Sequence, residues 1–338
     1  MSSTRVSGTV VRQHRSHFVV EGDDGTEYLC GVSSKLRKAL EYPEADSASR
    51  RRRVQNVNEI AATSPVVVGD RVEVELGDEI HLIMTVGPRK SILSRESPGK
   101  RNVQQIIAAN IDQVLAVTSV QAPAFNADLL NRVLAGAEFQ GIPPVICVTK
   151  IDLGIPEDAR EAIEGYPSEY TVVFTSAKTG EGLGKLNELL RNRNSVAIGL
   201  SGVGKTSLIN AIEPNLDLRV QPVNRKTGQG RHTTTHIELV RLSNGGHLVD
   251  APGLRELSLW SAAPEDIEQL FPEFAPFRGK CRFGSSCVHD REPGCAIKEA
   301  IEQNTIAPHR YETYLTLRKQ AEQTASDYRD RRRPRPTD

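Results

Sequence analysis

Eight consecutive residues have the composition and spacing of a loop that binds phosphate groups. Glycines at three positions let backbone N–H groups turn towards phosphate oxygens, and the start of a following helix favours negative charge. In this pattern the lysine reaches the β and γ phosphates, and the hydroxyl of the last residue ligates Mg²⁺. The residues are Gly199, Leu200, Ser201, Gly202, Val203, Gly204, Lys205 and Thr206. They follow an apolar run and precede a helical pattern, so they predict a nucleotide site.

Two other segments predict which base is bound. The first resembles the guanine-recognition motif, in which an aspartate accepts hydrogen bonds from N1–H and the exocyclic amine of guanine. Adenine lacks both donors in that geometry, and each charge-assisted bond is worth about 1.5–3 kcal/mol. The second resembles the loop whose backbone also meets guanine. The segments are Thr149, Lys150, Ile151 and Asp152, and then Ser176, Ala177 and Lys178. GTP or GDP is therefore the expected ligand, although Thr149 replaces the commoner asparagine.

A third group of residues predicts how the γ phosphate is sensed. Asp250 and Gly253 enclose an Asp-Ala-Pro-Gly segment, which we expect to hold Mg²⁺ through water and to contact the γ phosphate. The basic, glycine-containing segment 219–235 ends in three threonines. We expect this segment to become ordered when Thr234 meets Mg²⁺, with Thr233 and Thr235 as alternatives.

The residue directly after this motif predicts slow hydrolysis by the isolated protein. Leu254 stands where many GTPases have a glutamine that orients the attacking water, and leucine can neither donate nor accept a hydrogen bond. The orienting group must therefore come from His232 or from a partner. With Lys205 and Thr234, His232 completes the set of residues that we expect to act in catalysis.

Four potential metal ligands lie close together near the end of the chain. They are Cys281, Cys287, His289 and Cys295. Three thiolates and one imidazole fill a tetrahedral site and leave no open position, so they predict one structural Zn²⁺ rather than a catalytic one. The alternatives are redox thiols and residues that bind no metal.

The surrounding patterns predict a multidomain α/β protein. Residues 1–90 contain five short apolar runs, which predict an OB-like β-barrel that binds RNA. The runs are Val6–Val11, Phe18–Val20, Val66–Val68, Val72–Leu76 and Ile80–Val86. Residues 91–256 alternate between strand and helix patterns, which predicts a mostly parallel sheet covered on both faces. Residues 257–338 predict a zinc-binding domain with a helix beginning near Ala263, another over 309–328, and a basic tail.

Composition restricts the compartment and the partners. The 43 basic residues balance 43 acidic ones, which argues against coating nucleic acid through a uniformly basic surface. Local clusters at Arg50–Arg53 and Arg329–Arg335 are either RNA contacts or solvated loops. The chain lacks the apolar run of about 20 residues that spans a membrane and the apolar start of a secretion signal. We expect a cytoplasmic monomer without membrane contact.

The order of the motifs is rotated relative to an ordinary GTPase. The guanine motifs at Thr149 and Ser176 precede the phosphate loop, which an ordinary GTPase places first. Rotation is tolerated because domain termini often lie close together. With Gly230-Arg-His-Thr-Thr-Thr235, Asp250-Ala-Pro-Gly-Leu-Arg-Glu256 and the cysteine cluster, this order resembles the RsgA/YjeQ GTPases.

That resemblance implies an N-terminal OB-fold, a circularly permuted GTPase domain and a C-terminal zinc domain. It also implies GTP hydrolysis that is stimulated by the small ribosomal subunit during late maturation, with contacts to its rRNA, and it favours His232 as the water-orienting residue. Two other functions fit the sequence: a GTP-controlled rRNA-binding module in which hydrolysis is secondary, and an unrelated P-loop ATPase with a zinc-dependent nucleic-acid domain.

Overall fold

The computed structural model describes residues 4–14, 17–41, 66–78, 80–96, 104–216, 237–250, 257, 259 and 262–332. In this part of the chain the strands are β1 (Arg5–Gln13), β2 (Phe18–Gly22), β3 (Glu27–Val32), β4 (Arg71–Glu75), β5 (His81–Val86), β6 (Ile92–Glu96), β7 (Gln104–Ala109), β8 (Gln113–Ser119), β9 (Pro144–Thr149), β10 (Thr171–Phe174), β11 (Asn194–Ile198), β12 (Glu238–Arg241) and β13 (His247–Asp250). The α-helices are α1 (Ser34–Glu41), α2 (Ala127–Phe139), α3 (Glu157–Glu164), α4 (Leu183–Leu190), α5 (Lys205–Ile212), α6 (Ala296–Glu302) and α7 (Pro308–Arg332).

Strands β1 to β5 form a closed barrel. Their order is β1-β2-β3-β5-β4, and β4 pairs again with β1, which removes both free edges. Valines and an isoleucine fill the interior, among them Val10, Val20, Val74 and Ile83. The structure confirms the predicted five-stranded barrel of the OB type.

One of the five predicted barrel strands was wrong. Val66–Val68 is fully buried but forms no strand, since Val68 makes only an isolated bridge to Ala108. The fifth strand of the barrel is β3, which was not predicted. Its only fully buried side chain is Cys30, and its other residues include Glu27 and Gly31, so it lacks a strong alternating apolar pattern.

Strands β8 to β13 and helices α2 to α5 form the central domain. Its strand order is β10-β9-β8-β11-β13-β12, and every neighbouring pair is parallel except β13–β12. Alternate residues of β8 face opposite layers: Val114 packs in the cluster of α2 and α3, whereas Leu115 packs in that of α4 and α5. The prediction of a mostly parallel sheet covered on both faces is confirmed. Helix α3 and the hairpin β6–β7 were not predicted.

The C-terminal region (residues 262–332) is mostly helical. Two 3₁₀-helices, Ile267–Leu270 and Pro272–Phe277, replace the single helix predicted from Ala263. Proline disfavours helical geometry in the preceding residue and lacks an N–H donor, so Pro272 and Pro276 prevent a continuous α-helix. Helix α7 confirms the predicted helix over 309–328 and extends it to Arg332. In the described ranges, no helix combines the length and apolar character needed to cross a bilayer.

The C-terminal region packs on α2 and α3 of the central domain around one buried arginine. Arg310 of α7 is 0% exposed and binds the carboxylate of Glu273 with Nε and Nη2, at 2.5 and 3.1 Å. Its Nη1 lies 3.3 Å from Oδ1 of Asn131 in α2. The guanidinium also lies 5.7 Å from the ring centres of Tyr166 and Tyr170. The arginine therefore joins groups from both parts of the molecule.

The barrel is joined to the central domain through the edge strand β12. Strand β1 pairs with β12 at Arg12 and Glu238, so the barrel and the parallel sheet form one eleven-stranded sheet. Arg12 Nε lies 3.4 Å from the Glu238 carboxylate. A buried ion pair between Asp70 and Arg89, at 2.7 Å, fixes the chain where it leaves the barrel.

Candidate nucleotide site and metal centre

The predicted nucleotide-binding segments meet at one edge of the central sheet. The guanine motif begins at the last residue of β9, Ser176 follows β10, and the phosphate loop follows β11. These strands run in parallel, so the loops after them lie at the same edge, where α/β sheets commonly bind ligands. Strand β8 lies between β9 and β11 and is buried along its whole length. Segments up to 57 residues apart in the sequence are thereby brought together.

The guanine motif and the phosphate loop are in direct contact. Thr149 Oγ1 lies 2.5 Å from the carbonyl oxygen of Val203 and 3.1 Å from that of Thr118. A hydroxyl carries one proton, so it donates to one carbonyl at a time, and the shorter contact is the one to the phosphate loop. Lys150 Nζ donates to the carbonyl oxygens of Gly202, at 2.6 Å, and Ala122. Partial burial lowers the pKa of Lys150. These contacts join the two loops that are predicted to bind the base and the phosphates.

The carboxylate of Asp152 is held by the second loop that was predicted to contact guanine. Ser176 Oγ donates to Asp152 Oδ1 at 2.7 Å and accepts from the backbone N–H groups of Lys178 and Thr179, at 3.2 and 3.1 Å. Lys178 Nζ lies 4.0 Å from Asp152 Oδ2. The hydrogen bond from Ser176 orients the Asp152 carboxylate, and the side chain remains 13% exposed. An oriented acceptor of this kind suits a pair of donors such as those of guanine.

The phosphate loop has the backbone geometry that its glycines allow. Gly202 and Gly204 have φ values of +84° and +98°, which side chains with a Cβ rarely adopt. Gly199 packs on β8 so closely that a Cβ there would lie 2.1 Å from the carbonyl oxygen of Val117. Helix α5 begins at Lys205, whose Nζ donates to the carbonyl oxygens of Gly199 and Leu200 at 2.7 and 2.8 Å. The lysine ammonium therefore lies over the loop.

The predicted γ-phosphate-sensing residues are only partly described. Asp250 ends β13, and the preceding residue, Val249, lies opposite Val196 of β11. The backbone of Asp250 is therefore at the sheet edge that carries the phosphate loop. The other predicted residues lie outside the described residues, namely Gly253, His232, Thr233, Thr234 and Thr235. The arginine cluster at 50–53 lies outside them as well.

The four predicted metal ligands converge in the C-terminal region. All four side chains are buried, and their ligand atoms lie within 4.8 Å of one another. Cys281 Sγ is 3.9 Å from Cys295 Sγ, and His289 Nδ1 is 3.3 Å from Cys295 Sγ. Two thiolates on one tetrahedral zinc, each about 2.3 Å from the ion, lie about 3.8 Å apart. The cluster, which includes Cys287, therefore fits a zinc ion, and its three cysteines are not joined in disulfides.

Two acidic residues that were not among the predicted site residues support this cluster. Glu268 places Oε2 3.3 Å from His289 Nε2, on the side of the ring away from the thiols. His289 lowers the pKa of Glu268, and the carboxylate in turn raises the pKa of His289 against the opposing effect of burial. Glu292 accepts the backbone N–H groups of Val288, Asp290 and Arg291 at 2.8–3.0 Å, and so shapes the loop around His289. Glu268 lies 13 residues before Cys281, and nothing in this spacing identifies it as part of the metal site.

Replacing Glu268 by glutamine should weaken zinc binding. A carboxylate that holds the second ring nitrogen of a metal-binding histidine fixes the ring and strengthens the ligand, and its loss typically costs about 10–100-fold in metal affinity. Competition with a chromogenic chelator on the full-length protein would measure this change. Glu265→Gln is the matched control, because Glu265 is exposed in the same segment. Equal zinc affinity in the two variants would contradict this role for Glu268.

Comparisons with known proteins agree with this geometry. A family profile described as RsgA GTPase matches residues 86–260. The small ribosomal subunit biogenesis GTPase RsgA of Gemmatimonas aurantiaca is 41% identical over 282 residues, which cover 82% of this chain and 91% of the relative. The protein of the same name from Moorella thermoacetica is 40% identical over 318 residues, covering 92% and 96%.

Two solved structures share the whole architecture. The crystal structure of YjeQ from Thermotoga maritima has a TM-score of 0.72 at 33% identity and covers 94% of this chain and 99% of its own. YloQ, described as a circularly permuted GTPase, has a TM-score of 0.65 at 24% identity and covers 98% and 97%. The profile match and the two relatives at 40–41% identity, in agreement with the contact between the guanine motif and the phosphate loop, show that the chain belongs to the RsgA GTPase family.

Proposed function

We propose that this protein hydrolyses GTP to GDP and phosphate, and that it acts with the small ribosomal subunit during late maturation of that subunit. The observation that carries the proposal is the direct contact between the guanine and phosphate loops. Thr149 and Lys150 bind carbonyl oxygens of the phosphate loop, while Ser176 orients Asp152. Relatives named for small ribosomal subunit biogenesis support the biological role.

Each residue of the nucleotide site has a proposed role. Asp152 accepts the N1–H and exocyclic amine of guanine, the Lys150 stem covers the base, and the backbone of the segment 176–178 adds contacts. The amides of residues 199–206 hold the phosphates, and Lys205 neutralises charge on the β and γ groups. Thr206, Asp250 and Thr234 would hold Mg²⁺, which would supply positive charge against the negative charge that develops during hydrolysis. The N–H of Gly253 would meet the γ phosphate.

Hydrolysis in this site depends mainly on orienting the attacking water. Leu254 has no group that could do so, and we assign this role to His232, brought into position by the ribosomal subunit. Phosphoryl transfer relies on positioning and charge stabilisation, so ordering one loop is enough to raise the rate many-fold. Turnover by the isolated protein is therefore slow.

The three parts of the chain have separate proposed tasks. Residues 1–90 form the OB-like domain that binds rRNA, 91–256 the permuted GTPase domain, and 257–338 the domain that binds one Zn²⁺ through Cys281, Cys287, His289 and Cys295 and ends in a basic tail. The metal would stabilise the loops that carry these four ligands, because the free energy of binding a structural metal adds to the free energy of folding. We propose that the protein works as a cytoplasmic monomer.

Steady-state phosphate release with and without purified small ribosomal subunits tests this function. We expect slow release by the protein alone and an increase of at least about tenfold with subunits, because the partner orders the catalytic loop. Large subunits are the control. Fast release that small subunits leave unchanged would contradict the proposal, and equal binding of ATP and GTP in calorimetry would favour an ATPase. If a variant that binds GTP without hydrolysing it supports assembly fully, hydrolysis is secondary to RNA binding.

A further inference from the structure

The turn between β8 and α2 lies directly beside the guanine motif. The backbone N–H of Val120 donates to the carbonyl oxygen of Thr149 at 3.2 Å, which continues the pairing of β8 with β9. Lys150 Nζ donates to the carbonyl oxygen of Ala122 in the same turn. Gln121 lies between these two residues of the turn, and its side chain contacts the other end of the motif.

The side-chain amide of Gln121 binds the two residues that directly follow Asp152. Its Nε2 lies 3.0 Å from the carbonyl oxygens of both Leu153 and Gly154. An amide NH₂ group carries two N–H bonds, so it can donate one to each carbonyl. Both donors of this side chain therefore hold the short 3₁₀-helix Ile151–Leu153 and the glycine that ends it.

Side-chain packing contributes little to this end of the motif. Leu153 is 46% exposed, and Gly154 has no side chain. At the other end, Lys150 has a φ of +61°. Such a left-handed conformation is unfavourable for a residue with a Cβ and persists where the surrounding contacts hold it. Hydrogen bonds are therefore the contacts that fix the backbone on both sides of Asp152.

Asp152 is thus held in two ways. Ser176 Oγ donates to its carboxylate, and Gln121 holds the backbone that directly follows it. A carboxylate that must meet two donors of one base depends on the position of its backbone as well as on its rotamer. We propose that Gln121 is a positioning residue for guanine recognition, because its amide fixes the backbone that carries Asp152. This inference rests on the proposed function, since it assigns the reading of the base to the Asp152 carboxylate.

Replacing Gln121 by alanine tests this role. The affinity for GDP should fall about tenfold, the effect of one or two ordinary hydrogen bonds. The affinity for ADP should stay within about twofold, because its phosphates are held by residues 199–206 and its base lacks the donors that Asp152 accepts. Displacement of a fluorescent GDP analogue measures both affinities. An unchanged affinity for GDP, or equal losses for GDP and ADP, would overturn the proposal.

Two further variants separate the amide donors from the size and location of the side chain. Gln121→Glu keeps the size but turns carboxylate oxygens towards the two carbonyls, so it should weaken GDP binding at least as much as Gln121→Ala. Gln140→Ala is the matched control, because Gln140 Nε2 also donates to a backbone carbonyl, that of Ser94 at 3.1 Å, after the opposite end of α2. This control should keep its GDP affinity within about twofold. Full GDP affinity in Gln121→Glu would overturn the proposal, as would an equal loss in Gln140→Ala.

Steady-state kinetics with small subunits distinguish positioning from a role in the chemical step. In Gln121→Ala the KM for GTP should rise about tenfold while kcat stays within about twofold, the pattern of a lost interaction that the ground state and the transition state share. A loss of kcat as large as the rise in KM would contradict a role in base recognition.

Hydrogen–deuterium exchange of the nucleotide-free protein separates this inference from the proposed function. The amides of Leu153 and Gly154 donate to the carbonyl oxygens of Lys150 and Ile151, both at 3.0 Å. They should exchange at least about fivefold faster in Gln121→Ala than in Gln140→Ala, because the turn opens more often without its side-chain donors. Equal exchange in the two variants would refute the inference alone. Equal affinity of the wild type for GDP and ADP would instead refute the proposed reading of guanine by Asp152, and this inference with it.

Discussion

Lys205→Ala is expected to lower GTP turnover in the presence of small ribosomal subunits by about 10²–10³-fold. Removing one preorganised donor from a site that stabilises developing charge has this effect in other enzymes. The lysine Nζ already lies over the phosphate loop, within 2.7–2.8 Å of the carbonyl oxygens of Gly199 and Leu200, so alanine would remove a positioned cation. Phosphate release at saturating GTP measures the change, and calorimetry of GTP binding separates binding from catalysis.

A second lysine provides the matched control for this substitution. Lys185 is exposed on α4 and also donates to a backbone carbonyl, that of Val172 at 3.3 Å. Lys185→Ala should leave turnover within about twofold of the wild type, because surface substitutions away from special features are usually mild. If Lys205→Ala also stayed within threefold, the lysine would have no role in phosphate transfer and the assignment of the loop would fail.

The second large effect should come from the buried arginine between the central domain and the C-terminal region. Arg310→Ala is expected to lower the free energy of unfolding by about 3–5 kcal/mol, because it leaves the carboxylate of Glu273 buried without its partner. The Glu273 side chain is only 8% exposed, so water cannot replace the guanidinium easily. Urea denaturation of the zinc-loaded protein, followed by circular dichroism and by zinc release, would measure the loss.

Two comparisons show whether burial causes this effect. Arg191 forms a surface ion pair with Glu188, with both side chains more than half exposed, so Arg191→Ala should cost less than about 1 kcal/mol. The double variant Arg310→Met with Glu273→Leu should recover most of the stability lost in Arg310→Ala, because a well-packed apolar pair can replace a buried ion pair. If Arg310→Ala were as mild as Arg191→Ala, the arginine would not join the two regions.

The barrel shows where local patterns predict a fold well and where they fail. β4 and β5 were predicted to within a residue because their apolar residues are consecutive or alternate between flanking turns. Val66–Val68 has the same apolar character, yet Asp70 there folds the chain into a turn by accepting the N–H of Val67 at 2.8 Å. The segment is apolar because it is buried, and its only pairing is the isolated bridge from Val68 to Ala108. Apolar composition indicates burial, and only hydrogen-bond partners distinguish a strand from a buried turn.

The sequence by itself was sufficient to predict the family of this protein and its GTPase activity, and the comparisons confirm both. Phosphate-loop glycines, the guanine-motif aspartate and the four metal ligands are residues whose types and short spacings have few other physical uses, so local sequence was sufficient to predict them. Tertiary structure alone decided the partners: Ser176 with Asp152, Glu268 with His289, and Arg310 with Glu273. These contacts join residues that are between 21 and 37 positions apart. The spacing of these residues does not identify them as partners, because the packing of helices and strands brings them together.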